Sequence, residues 1–334
     1  MKTSIFRFIV LFMAALASSQ GFSQVDIYDM SLEELMNMTV TTASQTQEGA
    51  NRAPATMVVI TQEQIRMRGY RSVNDIIMDL PEMMVTGKSW EEMTHKVSSR
   101  GLFGARYILL MINGQRVSAA TGEEYSYAEH FPLFMAKQVE ILLGPASALY
   151  GPDAVSGVIN IVTDTQDTND MANVDLNYAN GNYMFGNAYL RKRIADDAAF
   201  SLGLQAMDDQ GFDLADRFEE MGYDLSDYQS GTFNTEFGPM TPEAPFSTEL
   251  TAPRNSYAVY ANLRLQDLSV DVFTNMYRFS TAMPNSPSNA IYNDDVFFKQ
   301  RVTSAAANYR KAIGDLTFLT TLQGLLYNLD PNSN

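Results

Sequence analysis

Short stretches in which apolar and polar residues alternate dominate the second half of the sequence. Within residues 256–265, Val259, Ala261 and Leu263 fall on one side of an extended chain, whereas Tyr260 and Asn262 fall on the other. Such alternation predicts strands with one apolar face and one mixed face. The predicted strands are residues 173–178, 186–193, 198–206, 256–265, 268–277, 302–310 and 316–325.

The connections between these strands alternate in length. Residues 194–197, 266–267 and 313–315 are tight turns, whereas residues 207–255 and 278–301 are long and polar. A transmembrane barrel has short turns on its periplasmic side and longer loops outside, while a soluble β-sandwich has no reason to sort its loops in this way. We therefore expect about seven strands of an antiparallel transmembrane β-barrel.

The N-terminus has the pattern of a secretory signal. Lys2 and Arg7 precede an apolar run at residues 8–17, and small residues follow it. The run is too short for a membrane helix, which needs roughly 20 apolar residues. We therefore predict a signal peptide over residues 1–24, with a buried helix as the alternative. No later stretch reaches membrane-helix length, so a membrane-spanning mature protein would have to cross with strands.

Charge and residue usage exclude several classes of function. The net charge of -16, without a basic run beyond the first residues, argues against a nucleic-acid partner, since phosphates bind clustered Lys and Arg. The absence of Cys excludes disulfides and thiolate metal sites. Only two histidines are present, and no HExxH motif or nucleophile elbow occurs. We expect no catalytic residue, no metal site and no cofactor.

Sequence signals for the ends of helices occur in the first half of the chain. A capping box of Ser31 with Glu34 predicts a short helix at residues 32–37. A second box, formed by Thr61 with Gln64, follows a predicted strand at residues 55–60 and begins a helix that Gly69 should end. A third helix is predicted at residues 73–80.

A hairpin signal follows these helices. The pair Asn113-Gly114 joins an apolar run at residues 107–112 to residues 115–117, and this pair favours a two-residue hairpin turn. Together these signals predict a compact α+β domain. We divide the chain into a signal peptide at residues 1–24, an N-terminal extension at residues 25–50, an α+β domain at residues 51–165 and barrel strands at residues 166–334.

Several segments of the α+β domain resemble the plug of TonB-dependent receptors. The stretch "APATMVVITQEQIRMRGYRSVNDIIMDLPEMMV" is similar to the first strand-helix-helix unit of the plug, and "SSRGLFGARYILLMINGQRV" is similar to its central hairpin. The most specific segment, "KQVEILLGPASALYGPDAVSGVINIVT", resembles the final plug motif, and "DIYDMSLEELMNMTVTTAS" resembles the start of one large subgroup. These segments occur in the order found in the family.

The resemblance implies a fold, a location and a function. It implies a plug inside an antiparallel barrel of 22 strands in the Gram-negative outer membrane; since only the first seven or so are present, we expect a truncated sequence. It also implies active import of a scarce ligand of siderophore, haem, cobalamin or glycan type. The implied partners are TonB with ExbB and ExbD, the small extracellular ligand and outer-membrane lipid. A passive outer-membrane channel and a periplasmic binding protein are the alternatives.

The resemblance also suggests an energy-coupling segment, the TonB box, close to the mature N-terminus. Its β-branched, alternating side chains suit a strand added to the edge of a partner's sheet. A polar stretch follows, which could leave the segment exposed. The candidate residues are Met38, Thr39, Val40, Thr41, Thr42 and Ala43. An ordinary plug strand or linker is the alternative.

Two further sets of residues are candidates for roles in the plug. The first set is structural, because glycine permits tight turns and close backbone approach and because plug arginines of the family often pair with acidic residues of the barrel wall. Its members are Arg100, Gly101, Asn113, Gly114, Gly144, Pro145, Tyr150, Gly151 and Gly157. The second set, Trp90, His95 and Arg106, lies where an apical loop could meet incoming ligand.

Overall fold

The computed structural model describes two packed units, an N-terminal α+β domain and a large antiparallel sheet. It covers residues 39–40, 42, 48–49, 56–85, 97–119, 125–163, 169–222, 224–235, 237–241, 246, 249–281, 296–314 and 316–333. The predicted signal peptide and the predicted helix at residues 32–37 lie outside these residues. In the covered part of the chain, no helix is both long and apolar enough to cross a membrane.

The α+β domain is built on a five-stranded sheet in the order β3-β9-β10-β7-β8. Its strands are β3 (Thr56–Thr61), β7 (Ile108–Ile112), β8 (Gln115–Arg116), β9 (Ala136–Leu143) and β10 (Gly157–Thr163). Strand β10 pairs parallel with β7 and antiparallel with β9. Because β7 and β10 are buried almost throughout, both read as continuous apolar runs.

The two capped helices of this domain begin where the sequence predicts, and the second ends at Met78, two residues before its predicted end. Helix α1 (Gln62–Arg68) has Thr61 as N-cap, with both hydrogen bonds of the capping box formed, and ends at Gly69, whose φ is 67°. Helix α2 (Val73–Met78) has a capping box of Ser72 and Asp75. Helix α3 (Ser147–Tyr150) is a single turn between β9 and β10.

Two smaller sheets lie beside the five-stranded one. Strands β1 (Thr39–Val40) and β2 (Glu48–Gly49) form an antiparallel pair. Strands β4 (Met83–Val85), β5 (Val97–Ser99) and β6 (Leu102–Phe103) form the other sheet. The sequence did not predict these short strands, because two or three residues are too few to show a period.

The second unit is a seven-stranded antiparallel sheet in the order β11-β12-β13-β16-β17-β18-β19. Its strands are β11 (Met171–Ala179), β12 (Tyr183–Ala195), β13 (Ala198–Asp209), β16 (Arg254–Leu265), β17 (Leu268–Ser280), β18 (Phe297–Ile313) and β19 (Leu316–Leu329). All seven predicted strands are present, and each extends beyond the predicted bounds, three of them at both ends and four at one end. The extensions contain both apolar and polar residues, and alternation did not mark where each strand ends.

The two faces of this sheet differ as the alternation predicts. We call the face that packs against the α+β domain the inner face and the opposite one the outer face. On β16, Ala258, Tyr260 and Asn262 are buried on the inner face, while the alternate residues, including Val259 and Leu263, are partly exposed on the outer face. The outer face is therefore the apolar one, and the inner face carries the polar side chains.

The first long connection folds into a small unit of its own. It contains α4 (Ala215–Glu220), α5 (Ser226–Ser230) and the hairpin of β14 (Phe233–Thr235) and β15 (Gly238–Met240). Its buried residues are Phe218, Leu225, Tyr228, Phe233 and Leu250. The sequence indicated only a long polar connection here, because its apolar residues are too widely spaced to show a helical or strand period.

One apolar core joins the two units. It includes Ile76, Leu110 and Ile159 from the α+β domain together with Tyr260 and Phe273 from the inner face of the sheet. The α+β domain therefore rests on the inner face of the sheet as a packed body, as a plug would.

Candidate functional site

The turn of the plug hairpin touches the inner face of the sheet. Asn113 and Gly114 both have positive φ, 51° and 76°, as the Asn-Gly pair predicts for a turn of this kind. The Asn113 side chain donates from Nδ2 to the Tyr260 hydroxyl at 2.7 Å and to Thr163 Oγ1 at 2.8 Å. Its Oδ1 accepts from the backbone N–H of Thr163 at 2.8 Å. The turn is therefore bound both to its own five-stranded sheet and to the seven-stranded sheet, which we call the wall.

Asp271 lies behind this contact as a buried carboxylate of the wall, 8% exposed. The Tyr260 hydroxyl donates a short hydrogen bond to its Oδ1, and Asn262 Nδ2 donates to the same atom at 3.0 Å. Asn113 Nδ2 and Asn308 Nδ2 each lie 3.5 Å from a carboxylate oxygen. These donors offset part of the cost of burying the charge. We call the four sheet residues Tyr260, Asn262, Asp271 and Asn308 the wall socket.

Two neighbouring contacts extend the plug-wall junction along the hairpin. Gln115 Nε2 donates to Asn308 Oδ1 at 3.1 Å, and Gln323 Nε2 donates to the Arg116 carbonyl at 2.9 Å. The Arg116 guanidinium forms an ion pair with Asp153 inside the plug. The hairpin is thus held by β16, β17, β18 and β19 near the end of the sheet that carries the tight turns.

A second junction lies toward the end of the sheet that carries the long connections. Arg254 of the wall donates from Nε to Asp209 Oδ2 at 2.8 Å, and its Nη1 lies 3.4 Å from Oε1 of Glu129 in the plug. The ion pair across the interface thus has its arginine on the wall and its carboxylate on the plug. This is the reverse of the arrangement implied by the resemblance.

His130 is buried beside this ion pair. Its ring stacks on Tyr277 of the wall, with centroids 4.7 Å apart and planes 12° apart. Burial lowers the pKa of His130 from its ordinary value to about 3, because the charged imidazolium would lose its hydration. In the part of the chain that the structure describes, no hydrogen-bond partner reaches its Nδ1. The ring is therefore neutral near pH 7 and packs as an aromatic.

The candidate coupling segment is docked on the plug. Val40 and Thr42 are buried, 0% and 1% exposed. Thr42 donates to Glu140 Oε2 from its backbone N–H at 2.9 Å and from its hydroxyl at 2.5 Å. The Tyr150 hydroxyl donates to the Thr42 carbonyl at 2.8 Å. This placement differs from the exposed position that we expected, because buried acceptors and donors of the plug capture the backbone of the segment.

Tyr150 and Glu140 form a shared polar pocket around Thr42. Burial, with a further contribution from the nearby charge of Glu140, raises the pKa of Tyr150 to about 12. The phenol therefore stays protonated and remains a hydrogen-bond donor at physiological pH. Gln138 Nε2 donates to the other oxygen of Glu140 at 2.7 Å. The carboxylate thus receives donors on both oxygens, as a buried charge requires.

Asn160 connects the docked segment to the hairpin turn. Its Nδ2 donates to Thr42 Oγ1 at 3.1 Å, while its Oδ1 accepts from the Gly114 backbone N–H at 2.9 Å. Since Gly114 follows Asn113, which contacts the wall socket, hydrogen bonds and the backbone of the hairpin turn together connect Thr42 through Asn160 to the wall. We call this series the relay.

Three glycines of the final plug motif lie where a larger residue would strain the backbone or approach a neighbouring strand too closely. Gly144 and Gly151 have φ values of 136° and 87°, which other residues rarely adopt. Gly157 has an ordinary φ but faces a neighbouring strand, where an added Cβ would lie 2.8 Å from the Leu142 carbonyl oxygen. Pro145 precedes helix α3, and Tyr150 ends it in contact with Thr42.

The remaining predicted site residues do not join these junctions. Arg100 and Gly101 form a turn with φ of 52° and 80°, and Arg100 lies beside Gly144. Among the described side chains, no ion pair joins Arg100 to the sheet, so the predicted pairing stays a prediction. Arg106 is exposed, with its guanidinium 5.1 Å from the ring centroid of Tyr107. Trp90 and His95, like Met38, Thr41 and Ala43, lie outside the described residues.

Several residues at the junctions were missed by sequence reasoning. The missed residues are Glu129, His130, Glu140, Asn160, Arg254, Tyr260 and Asp271. Alternation identified the inner face of β16 and β17, so Tyr260 and Asp271 could have been found as polar residues pointing toward the plug. No such signal marks Glu140 or Asn160, which lie inside apolar runs. The described residues hold no cluster of His, Asp and Glu suited to a metal ion.

Comparisons with known proteins agree with this architecture. A family model described as "TonB-dependent Receptor Plug Domain" matches residues 49–158. A vitamin B12 transporter from Vibrio vulnificus is 25% identical over 287 residues, covering 84% of this chain and 46% of that protein. An iron-regulated outer membrane virulence protein from Vibrio cholerae is 33% identical over 173 residues, covering 48% of this chain and 26% of that protein.

Solved structures share the fold. A siderophore receptor from Acinetobacter baumannii has a TM-score of 0.60 at 14% identity, covering 88% of this chain and 39% of that one. A mutant ferric enterobactin receptor from Pseudomonas aeruginosa has a TM-score of 0.59 at 18% identity, covering 86% of this chain and 42% of that one. The chain thus spans less than half the length of these proteins. The predicted fold class, an α+β plug followed by antiparallel barrel strands, is confirmed.

Proposed function

We propose that this chain, which belongs to the TonB-dependent receptors of the Gram-negative outer membrane, takes part in the active import of a scarce ligand. The relatives named above include a vitamin B12 transporter and two siderophore receptors, in agreement with the expectation that the chain has no catalytic role. The ligand is of the siderophore, haem, cobalamin or glycan type. Import through a plugged barrel requires that the plug be held at rest and moved on demand.

The relay is the observation that carries this proposal. It joins the candidate coupling segment to the wall socket, through Thr42, Asn160 and Asn113. Apart from the peptide bond between Asn113 and Gly114, its links are ordinary hydrogen bonds, each of which contributes about 0.5–1.5 kcal/mol. A passive channel would need no such attachment between an N-terminal segment and a body that fills the lumen.

The proposed cycle starts from the docked state. Ligand binds between the long extracellular connections and the plug apex, near the junction of Glu129, His130 and Arg254. The coupling segment then leaves its pocket around Glu140 and adds a strand to the sheet of TonB. TonB, working with ExbB and ExbD, draws on the proton-motive force and pulls the segment. Tension transmitted through the relay moves the plug and opens a path to the periplasm.

The partner can be tested directly on the full chain in detergent. Replacing Val40 by Pro removes a backbone N–H that strand addition requires, so we expect binding of the purified periplasmic domain of TonB to fall at least tenfold. The matched variant Val40→Ala keeps the N–H and should bind nearly as the parent does. Equal binding by the Pro variant and the parent would show that the coupling segment lies elsewhere.

A further inference from the structure

A glycine interrupts the aromatic side chains on the inner face of the wall. Residues that are direct partners across neighbouring strands form a row, and Gly203 of β13 stands in one row between Tyr189 of β12 and Tyr260 of β16. Facing residues in such a row have Cβ atoms about 5 Å apart, so a residue without a side chain leaves a gap between its neighbours. We call this gap the Gly203 notch.

Two plug side chains fill the notch. They belong to a single 3-10 turn, Leu133–Met135, which leads into strand β9. A Cβ added to Gly203 would lie 2.7 Å from Met135 Sδ and 3.3 Å from Phe134 Cζ. Met135 is 1% exposed and belongs to the core that joins the two units, where close packing leaves little room for its thioether to turn aside. The plug thus supplies side chains where the wall lacks one of its own.

The plug chain runs from the notch along the inner face toward the long connections. In the row of the notch, the Phe131 ring stacks on Phe273, with centroids 6.3 Å apart. In the next row, Gln205 donates to the Glu129 carbonyl. The backbone that precedes the notch is therefore attached to two successive rows of the wall.

His130 carries this attachment one row further. Asn275 Nδ2 donates to its carbonyl at 3.3 Å, in the row of Gln205, and its ring stacks on Tyr277 in the row beyond. We call residues 129–131 the apical turn. All three of its residues therefore contact the wall, in an order that follows the rows.

A short, stiff link joins the apical turn to the notch. Pro132 lies between them, and its ring fixes its φ, which is -81°. The Leu133 N–H donates to the Phe131 carbonyl at 3.0 Å, which closes a tight turn around the proline. Because this link has little freedom, a displacement of Met135 from the notch displaces the apical turn as well.

We propose that the Gly203 notch is a latch for the apical turn of the plug. With Phe134 and Met135 seated in the notch, the turn is held against the wall. With both withdrawn, the turn leaves the wall as a unit and His130 meets water. The inference goes beyond the proposed import function, because it holds for any ligand and does not involve the coupling segment.

His130 reports on the latch, because its ring is hydrated only when the latch is open. The chain has two histidines, so histidine labelling gives two NMR signals from the full chain in detergent, and His95→Gln identifies the signal of His130. Burial lowers the pKa of His130 to about 3 when the latch is closed. Gly203→Ala should raise this pKa toward 6.5, by about two units or more, because the ring regains its hydration.

A rescue variant separates the latch from a general loss of stability. Met135→Val deletes the sulfur that the new methyl group would meet, so combining it with Gly203→Ala should return the pKa of His130 to within about half a unit of the parent value. Met135→Val alone should leave the pKa unchanged. The control Gly324→Ala should also leave it unchanged, because it places the same methyl group on the wall where nothing lies within 4 Å.

Phe134→Ala tests the latch without adding bulk to the notch. It removes one of the two seated side chains, and it should accelerate amide hydrogen exchange at the apical turn by about tenfold while exchange in β7 stays unchanged. This variant decides the question if Gly203→Ala does not fold. The proposal is overturned by an unchanged pKa of His130 in folded Gly203→Ala, by failure of Met135→Val to restore that pKa, or by unaltered exchange in Phe134→Ala.

Discussion

Single residues at the plug-wall interface act mainly through burial. Three buried polar side chains offset the cost of dehydration in two ways. They are His130, Glu140 and Asp271, which are 2%, 1% and 8% exposed. Glu140 and Asp271 receive several hydrogen-bond donors, whereas His130 stays neutral and stacks on Tyr277. Substitution therefore removes hydrogen bonds at the two carboxyl positions and an aromatic contact at His130.

Acid should loosen the junction around His130. Its pKa is about 6.5 when unfolded and about 3 when folded, so the unfolded state takes up a proton first as the pH falls. Stability is complete above pH 6.5 and is lost progressively toward pH 3, by about 3 kcal/mol between about pH 7 and pH 4. Urea unfolding of the full chain in detergent at both pH values measures the loss. The variant His130→Gln should lack this component, and an equal pH dependence in both proteins would contradict the assignment.

Gly157 tests the close approach of two plug strands. An added Cβ would lie 2.8 Å from the Leu142 carbonyl oxygen, and backbone atoms cannot move aside as a flexible side chain can. We expect Gly157→Ala to lower the free energy of unfolding by about 1–3 kcal/mol. The control Gly324→Ala places the same methyl group on β19 where nothing lies within 4 Å. If Gly157→Ala lowered the free energy of unfolding by no more than Gly324→Ala does, the result would show that the two plug strands adjust freely.

At the scale of elements, the short strand β1 and the residues after it are held by side chains rather than by a sheet. Strand β1 pairs with only two residues of β2, so its own ladder is weak. Thr42 supplies the stronger attachment, through Glu140, Asn160 and Tyr150. An element attached in this way can be docked firmly and still be released as a unit.

Removing one hydroxyl should loosen the coupling segment without disturbing the plug sheet. The substitution Thr42→Val keeps the shape and the backbone N–H but deletes the group shared by Glu140 and Asn160, at a cost of about 1–3 kcal/mol. Amide hydrogen exchange should therefore accelerate at residues 40–42 and stay unchanged in β7 and β10. The matched variant Thr320→Val, on the exposed strand β19, should change neither. Unaltered exchange at residues 40–42 would show that Thr42 does not secure the segment.

At the scale of the whole molecule, charge and packing are divided between the units. The connection at residues 210–253 carries nine acidic residues and one basic residue, which gives a net charge of -8, half of the -16 of the chain. It nevertheless has its own apolar core, which contains no residue of the plug. Its two ends, Asp209 and Arg254, stand opposite each other in the sheet.

The connection should therefore be replaceable. Because Asp209 and Arg254 are ladder partners, a short Asn-Gly turn can join β13 to β16 in place of residues 210–253. We expect the thermal unfolding midpoint of the remaining chain in detergent to change by no more than a few degrees. A larger decrease in the unfolding midpoint, matched by the decrease that Glu129→Gln causes, would indicate that the ion pair between Arg254 and Glu129 is lost. It would then show that the connection positions this junction.

The sequence by itself determined the long strands, two helix starts and the hairpin turn. Apolar alternation located all seven strands of the large sheet and the apolar face of β16, and capping boxes and the Asn-Gly pair indicated the helix starts and the turn, because these signals depend on residues close together in the chain. Only the tertiary structure decided the partners of Glu140, Asn160, Glu129 and Asp271. Thr42 and Glu140 are separated by 98 residues, and Asn113 and Asp271 by 158, so no local pattern relates them. Which buried donor meets which buried acceptor depends on how the plug is seated on the sheet.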